Sequence, residues 1–166
     1  MATPTNLPAT FAIGSVLTAS QQNDLRGAFR VLQVVQATYS AVIVSSSTTT
    51  MVDTNLTASI TPQSNTSKIL VVVHQTFGKT DGNPNNAVQG RIMRDATAVH
   101  TFAVATGYTG TSIANIFVIS AMYLDSPATT SAITYKTQFA NFSNNAAVSA
   151  NTNNTPATIT LMEISA

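Results

Sequence analysis

Short stretches in which apolar and polar side chains alternate recur along most of the chain. Residues 133–139 carry Ile, Tyr and Phe in alternation with Thr, Lys and Gln, the period-2 pattern of a strand with one buried face. Residues 69–73 form a continuous apolar run, which predicts a strand buried on both faces. Residues 113–124 are rich in β-branched and aromatic side chains, and Ile159 and Leu161 begin a closing strand.

Further strands and the turns between them are predicted along most of the chain. Alternation fails at residues 162–164, Met-Glu-Ile, which predicts a bulge or a contact between subunits. An apolar run at residues 31–35 leads into another at residues 41–44. Turn-rich segments separate the strands at residues 61–65, 80–86, 106–111 and 141–156. About eight short strands joined in this way are typical of an all-β, antiparallel β-sandwich of the jelly-roll type. We therefore expect a β-sandwich domain over residues 31–166.

One segment before the sandwich has helical periodicity. Thr18 and a Gln three residues later have the spacing of a capping box, and Leu25, Phe29 and Leu32 follow on one helix face. These features predict a short helix over residues 18–30. Because so short an apolar stripe buries little surface alone, we expect the helix to pack under the sandwich or against copies of itself.

The first segment, residues 1–17, predicts an extended arm, because it contains two prolines and few large apolar side chains. Such arms fray when they are alone, so we expect it to dock on its own domain or on a neighbouring chain. The residues expected to make that contact are Thr3, Pro4, Leu7, Pro8 and Phe11.

The composition narrows the class of protein. Thr, Ser, Asn and Gln together provide 65 of the 166 residues, whereas charged residues make up 8% and the formal net charge is +1. With 44% hydrophobic residues the chain is not of the disordered type. The low charge argues against nucleic acid as a partner, and no apolar run approaches the roughly 18 residues of a membrane span. The absence of cysteine excludes disulfides and thiolate metal sites.

Catalytic chemistry is poorly supported by the sequence. The six acidic residues form no local pair at a useful spacing and lie in no known nucleophile or metal motif. His74 and His100 are the only histidines. His74 follows an apolar run, which favours a sheet or interface residue, although three copies on a trimer axis would suit a metal ion. We therefore expect no enzyme activity, metal or cofactor; a glycan depolymerase with its site across a subunit interface is the enzymatic alternative.

Binding is better supported, because neutral donors and acceptors crowd the predicted loops. Such side chains suit sugar hydroxyls or a partner's backbone, and loops at the ends of a sandwich commonly carry recognition. The residues expected to contact a ligand are Asn83, Asn85, Asn86, Tyr108, Asn144, Asn145 and Asn151. The simpler alternative is that these residues only build turns.

The densest charge cluster lies in residues 91–97. Residues 94–97, Arg-Asp-Ala-Thr, predict a β-turn with a local ion pair at a hairpin tip. An interface role stays open, because Arg suits bidentate contacts between subunits. The residues expected at a subunit interface are Leu25, Phe29, Leu32, Arg91 and Arg94.

Several stretches resemble the fibre proteins of tailed bacteriophages. They are residues 14–20, 31–35, 53–62, 67–71 and 91–97. The resemblance covers most of residues 14–97 and only the general character of the last third. It implies a trimeric β-sandwich virion protein in which the N-terminal arm is the anchor and the distal loops form the head.

Two functions fit this resemblance. The first is a short trimeric tail-fibre-like appendage that recognises the host surface, with a surface glycan as its ligand. The second is a capsid or neck decoration protein that stabilises the particle, which the short segment before the predicted head favours. In both, we expect a structural protein on the outside of the virion, bound to itself as a homotrimer and to other virion proteins through the arm. Neither nucleic acid nor membrane insertion is expected.

Overall fold

The computed structural model describes residues 16, 31–45, 49–80, 82, 84–143 and 146–165. The predicted helix, with Leu25 and Phe29, and the predicted arm apart from Val16 lie outside the described residues. The same holds for other residues singled out in the sequence: Thr3, Pro4, Leu7, Pro8, Phe11, Asn83, Asn144 and Asn145.

Ten strands make up nearly all of the regular structure in the described residues. They are β1 (Val31–Tyr39), β2 (Ile43–Ser45), β3 (Val52–Ile60), β4 (Lys68–Lys79), β5 (Val88–Arg94), β6 (Thr97–Thr106), β7 (Asn115–Asp125), β8 (Ile133–Asn141), β9 (Val148–Ala150) and β10 (Ala157–Ile164). A single 3-10 turn, Thr152–Asn154, separates β9 from β10.

The strands form two antiparallel sheets. In sheet A, the long strand β4 pairs along its whole length with β7 on one edge. On its other edge it pairs first with β10, which pairs with β1, and then with β9, which pairs with β2. Sheet B has the order β3-β8-β5-β6. If β1–β2 and β9–β10 each count as one interrupted strand, each sheet has four strands in the order expected of a jelly roll. The predicted all-β sandwich is confirmed.

Alternation of buried and exposed side chains gives most strands their place in the sandwich. Strand β8 buries Ile133, Tyr135 and Phe139, as its sequence pattern predicts. The prediction that residues 69–73 are buried on both faces is wrong. Ile69, Val71 and Val73 are buried, but the side chains between them are half-buried on the outer face of sheet A, because no layer covers that face in the described residues.

The closing strand β10 keeps its alternation to its end, so the predicted break does not occur in this strand. Glu163 occupies an inward position that an apolar residue would normally fill, and its side chain is fully buried. The irregularity lies instead on the neighbouring strand, where the pairing of β1 shifts between Val31 and Gln33, opposite Ile164 and Glu163. A bulge is therefore present at this position, but on the other side of the ladder.

The hairpin tip between β5 and β6 is present as predicted, but its ion pair is not local. Arg94 Nη1 lies 2.8 Å from Asp125 Oδ2, far along the chain. Asp95, in a positive-φ conformation (φ 50), instead accepts a hydrogen bond from the Thr134 backbone N–H at 2.9 Å. Asp95 therefore connects the hairpin tip to the neighbouring strand β8, and Arg94 forms its ion pair with Asp125 instead.

A layer of buried neutral polar side chains divides the core into two apolar clusters. One cluster includes the buried rings of Phe77 and Phe139, and the other includes Leu56, Ile92 and Tyr135. The polar layer between them consists of Thr54, Gln75, Thr137 and Asn151, all with 0% exposure. These side chains are hydrogen-bonded in a chain from sheet B to sheet A: Thr54 Oγ1 to Thr137 Oγ1, Thr137 Oγ1 to Gln75 Oε1 at 2.9 Å, and Gln75 Nε2 to Asn151 Oδ1 at 2.9 Å.

The two ends of the sandwich differ in what they carry. The described residues of the segments 80–87, 107–114 and 142–147 meet at one end, called the loop end here, because Lys79 pairs with both Asn115 and Val148. Strand β1 begins at the opposite end, where Val31 pairs with Ile164. The 12 residues of β4 connect the two ends, a distance of about 40 Å. Strand β1 therefore begins at the end of the sandwich opposite the loop end.

Candidate functional site

A cleft of about 560 Å³ opens at the loop end. Its lining comes from three segments that are distant in sequence: Asn85; Ala105 and Tyr108; and Phe142 and Ser143. Both aromatic side chains are exposed, Tyr108 by 53% and Phe142 by 41%. Aromatic side chains commonly line ligand pockets, where their apolar surface is buried only when a ligand binds. The cleft therefore combines rings free to contact a ligand with a neutral hydroxyl and amide.

Hydrogen bonds join the segment that carries Phe142 to residues 85–87. The backbone N–H of Phe142 donates to the Ala87 carbonyl at 2.8 Å, and Ser143 Oγ donates to the Asn85 carbonyl at 2.6 Å. The side chain of Asn141 donates to the Ala146 carbonyl, and its oxygen accepts the Ser143 N–H at 3.1 Å. These contacts hold the two segments in one conformation before any ligand arrives.

The segment that carries Tyr108 is anchored from below by a buried lysine. Lys79 is 2% exposed, and its Nζ donates to Thr109 Oγ1 at 2.6 Å and to the Thr111 carbonyl at 2.9 Å. Because these are neutral acceptors, the lysine satisfies its donors only when the loop lies over it. Lys79 is thus a positioning residue for Tyr108.

Gly107 lets the chain pass close to the aromatic core at the start of this segment. Its φ is +80, and a Cβ placed on it would lie 2.0 Å from Cε1 of Phe117. Both the backbone conformation and the close approach require glycine. Phe117 in turn contacts Phe77 at a ring centroid distance of 6.5 Å, so the cleft rests on the packed aromatic end of the core.

The predicted ligand residues separate into two groups in the structure. Asn85 and Tyr108, which lie in different predicted loops, are brought together in the cleft. Asn86 and Asn151 have 0% exposure and face inward. Asn86 Nδ2 donates to the Ala147 carbonyl at 2.9 Å, which joins two loops. Asn151 belongs to the polar layer of the core, so these two residues shape the loops and do not line the surface.

Sequence reasoning missed Ala105, Phe142 and Ser143. An aromatic residue directly after a strand and inside an Asn-rich segment, as in residues 141–145, was the available indication for Phe142. Pairing of this segment with residues 85–87 depends on tertiary contacts and has no local pattern.

The arginines expected at a subunit interface have partners within their own chain. Arg91 Nε and Nη2 both donate to Gln138 Oε1, at 2.9 and 2.7 Å. Hydrogen bonding and the Asp125 carboxylate raise the pKa of Arg94, against the opposing effect of burial. Leu32 is half-buried in β1. The interface assignment of these residues stays a prediction.

The two histidines, which are the other candidates for chemistry, lie away from the cleft. His74 Nδ1 is 2.9 Å from Ser120 Oγ on sheet A, and His100 stacks on Tyr123 with ring centroids 5.0 Å apart. Within the described ranges, no cluster of three or more His, Cys, Asp or Glu side chains is placed to hold a metal ion. No helix in the part of the chain that the structure describes is long and apolar enough to cross a membrane.

Comparisons with known proteins give no family for the chain. No protein-family model and no curated protein matches it. Among solved structures it is similar to a chain in the structure of infectious bursal disease virus, Gx strain (TM-score 0.45, 13% identity, covering 81% of this chain and 37% of that chain). It is also similar to the Gt strain (TM-score 0.44, 17% identity, 82% and 39%) and to a VP2 subviral particle of that virus (TM-score 0.42, 16% identity, 82% and 38%).

This chain spans less than two-fifths of the length of those viral chains. At these TM-scores and identities we draw no functional argument from the similarity. None of these three structures is from a tailed bacteriophage, so the resemblance to fibre proteins stays a prediction from the sequence.

Proposed function

We propose that this chain is a non-enzymatic structural protein of a virion, a short homotrimeric tail-fibre-like appendage whose loop end binds a host-surface glycan. The observation that carries the proposal is the cleft at the loop end, where the exposed rings of Tyr108 and Phe142 stand beside neutral polar groups. The virion assignment comes from the sequence resemblance, and the ligand class comes from the cleft.

The cleft matches the surface chemistry of a sugar. A pyranose ring presents C–H groups on its faces and hydroxyls around its rim, so it contacts aromatic rings face-on and hydrogen-bonds at its edge. Tyr108 and Phe142 supply the rings, while Asn85 and Ser143 supply amide and hydroxyl groups. The described residues that line the cleft carry no charge, which favours a neutral sugar. The volume of about 560 Å³ falls in the roughly 300–1,000 Å³ range of small-ligand sites.

The position of the cleft also fits an appendage. The recognition loops and the start of β1 lie at opposite ends of the sandwich. An arm that anchors the chain to the particle would therefore leave the loop end pointing outward. The pre-formed loop contacts lower the entropic cost of binding, because Lys79 and Asn141 already fix the segments that carry the rings.

The test is binding of the purified chain to a panel of immobilised bacterial O-antigen polysaccharides, measured by biolayer interferometry. We expect binding to at least one neutral polysaccharide, and we expect Tyr108→Ala and Phe142→Ala each to weaken it about tenfold, or roughly 1.4 kcal/mol. Val104→Ala is the matched control, because Val104 is apolar and 63% exposed but does not line the cleft. Absence of binding across the panel, or equal affinity in all variants, would overturn the glycan assignment.

The alternative is a capsid or neck decoration protein that stabilises the particle. It is favoured by the exposed apolar face of sheet A, including Met122 and Val118, which a packed particle surface could cover. Copy number separates the two functions. Quantitative mass spectrometry of purified virions would give dozens to hundreds of copies for decoration, and a small multiple of the tail symmetry for an appendage.

A further inference from the structure

The outer faces of the two sheets differ sharply in chemistry. On sheet B, the outward side chains of β3 and β8 are polar, and Gln138 links Asp53 to Arg91 through hydrogen bonds of 2.6 Å and 2.7–2.9 Å. Lys136 Nζ adds an ion pair to Asp53 at 2.8 Å. On sheet A, the outward side chains of β7 are Ile116, Val118, Ser120, Met122 and Leu124, all of them exposed.

The apolar side chains of sheet A form a patch that the exposed pair His74 and Ser120 interrupts between Met122 and Val118. Register places Val34, Met162, Leu70 and Leu124 side by side in one row across four strands. The next row brings Val72 beside Met122, and the strip continues along β7 through Val118 and Ile116. Met122 is 72% exposed. We name this set of eight residues the sheet A patch: Val34, Leu70, Val72, Ile116, Val118, Met122, Leu124 and Met162.

The edge of the same sheet lacks the usual protection against pairing. Strand β7 has 11 residues and pairs only with β4 among the described residues. It contains no Lys, no Pro and no charged residue before Asp125 at its end. Monomeric proteins usually protect a long edge with such residues or with a bulge. An uncharged, apolar edge strand of this length is therefore typical of a strand that another chain covers.

We propose that the sheet A patch and the adjoining edge of β7 form the surface through which copies of this chain associate. This places the subunit contact on sheet A, apart from the cleft. The inference rests on the self-association in the proposed function but is independent of glycan binding.

The size of the face suits a second copy of the chain. The strip along β7 from Ile116 to Leu124 is about 26 Å long and the row from Val34 to Leu124 spans about 19 Å, so the patch is L-shaped and fills part of a rectangle of on the order of 500 Å². Side chains stand out from this plane, and the β7 edge adds to it. A standard interface buries roughly 800 Å² per partner, so polar side chains of the same face, such as Gln36 and Thr160, would be buried together with the patch.

Charge also favours a second copy. Identical charged surfaces repel when they meet, whereas the sheet A patch has no charged member; Lys68 lies at its rim, and His74, hydrogen-bonded to Ser120, lies within its outline. The chain's own N-terminal segment is the competing occupant. Residues 1–30 contain eight large apolar side chains and three charged ones, so the experiments below are chosen to distinguish this segment from a second copy.

The test is the mass of the full-length chain in solution, measured by multi-angle light scattering at micromolar concentration. We expect the wild type to show about three times the 17.3 kDa chain mass and M122E and V118E to shift to the single-chain mass, because a carboxylate would be buried without a partner. T57E is the matched control, since Thr57 is an exposed mid-strand residue on the polar face of sheet B. It should leave the mass unchanged.

A second measurement identifies what covers the face. We would follow peroxide oxidation of Met122 in the wild type across a dilution series, with folding checked by circular dichroism. Protection that disappears on dilution supports a second copy. Single-chain mass in the wild type, unchanged mass in both folded variants, or protection independent of dilution would overturn the inference, the last by assigning the face to the chain's own N-terminal segment.

Failure of this inference and failure of the glycan assignment are separable. Met122 lies roughly 20 Å along β7 from the loop end, so M122E should keep an intact cleft. A trimer that M122E dissociates but that binds no polysaccharide would remove the glycan assignment alone.

Discussion

Replacing Asn151 is the sharpest test of the buried polar layer. Its side chain accepts the Gln75 amide at 2.9 Å and donates to the Ala41 carbonyl at 3.0 Å, at the break between β1 and β2. Its backbone is in the left-handed region, with φ 56 and ψ 38. One residue therefore joins the interruptions of two neighbouring strands of sheet A, β1–β2 and β9–β10, to the core.

The expected cost of Asn151→Ala has two parts. Leaving the buried Gln75 amide without its acceptor costs about 1–3 kcal/mol. Holding alanine in the left-handed conformation adds about 1–2 kcal/mol. The sum, about 2–5 kcal/mol, is a large share of the roughly 5–15 kcal/mol by which domains are stable. At a urea m-value of about 2 kcal/mol/M, the midpoint should fall by roughly 1–2.5 M.

Two further variants separate the two parts. Asn151→Gly removes the amide but relieves the backbone, so it should show only the hydrogen-bond loss. Asn153→Ala is the control for the backbone part, because Asn153 also has a positive φ, 61, but is exposed. Urea unfolding followed by circular dichroism at one fixed protein concentration gives all three values. If Asn151→Ala costs no more than Asn153→Ala, the polar layer does not stabilise the fold as argued.

Three other outcomes follow from single residues. Hydrogen bonds lower the pKa of Glu163 from 4.5 despite the opposing effect of burial. The stabilisation that this carboxylate provides is therefore present above pH 4.5 and is lost as the pH falls through the lowered pKa. Glu163→Gln should flatten the acid side of a plot of urea midpoint against pH, and an unchanged slope would contradict this. Burial and the Asp125 carboxylate raise the pKa of Tyr135 above 10.0, so the stability of the fold should decrease as the pH rises above 10. An absorbance titration at alkaline pH should show phenolate from Tyr135 only when the protein unfolds, and Tyr135→Phe should remove that late step. Gly107→Ala should lower glycan affinity with little change in β-structure, because its Cβ would overlap the Phe117 ring and displace the loop; unchanged affinity would show that the loop conformation is not needed.

Strands with strict alternation were predictable from the sequence because period 2 is a local property. Strand β8 follows its pattern, and the turn at residues 95–96 lies where expected. Strands β3 and β6 gave a weaker indication, since Thr, Asn and Ala dominate them. Continuous apolar runs were ambiguous: residues 69–73 have the composition of a strand buried on both faces, whereas one of those faces lies on the outside of sheet A.

The candidate site was predictable in part. Asn-rich loops at the ends of strands indicated where recognition residues would lie, and Asn85 and Tyr108 are there. The sequence offered no way to distinguish them from Asn86 and Asn151, because an amide that binds a ligand and an amide that joins two loops have the same local pattern. Burial decides between these roles, and burial depends on segments more than 60 residues away, such as the Ala147 carbonyl that Asn86 contacts.

By itself, the sequence determined the class of fold, the polar and nearly uncharged character of the loops and the absence of cysteine chemistry, because alternation and composition are properties of the chain before it folds. Tertiary structure alone decided which loops meet in the cleft, that Glu163 and Asn151 serve the core, and that Arg94 pairs with Asp125. It also decided that one sheet turns an apolar face outward while the other does not. The physical reason is that strand order and register bring distant residues together, and neither is written in a local pattern.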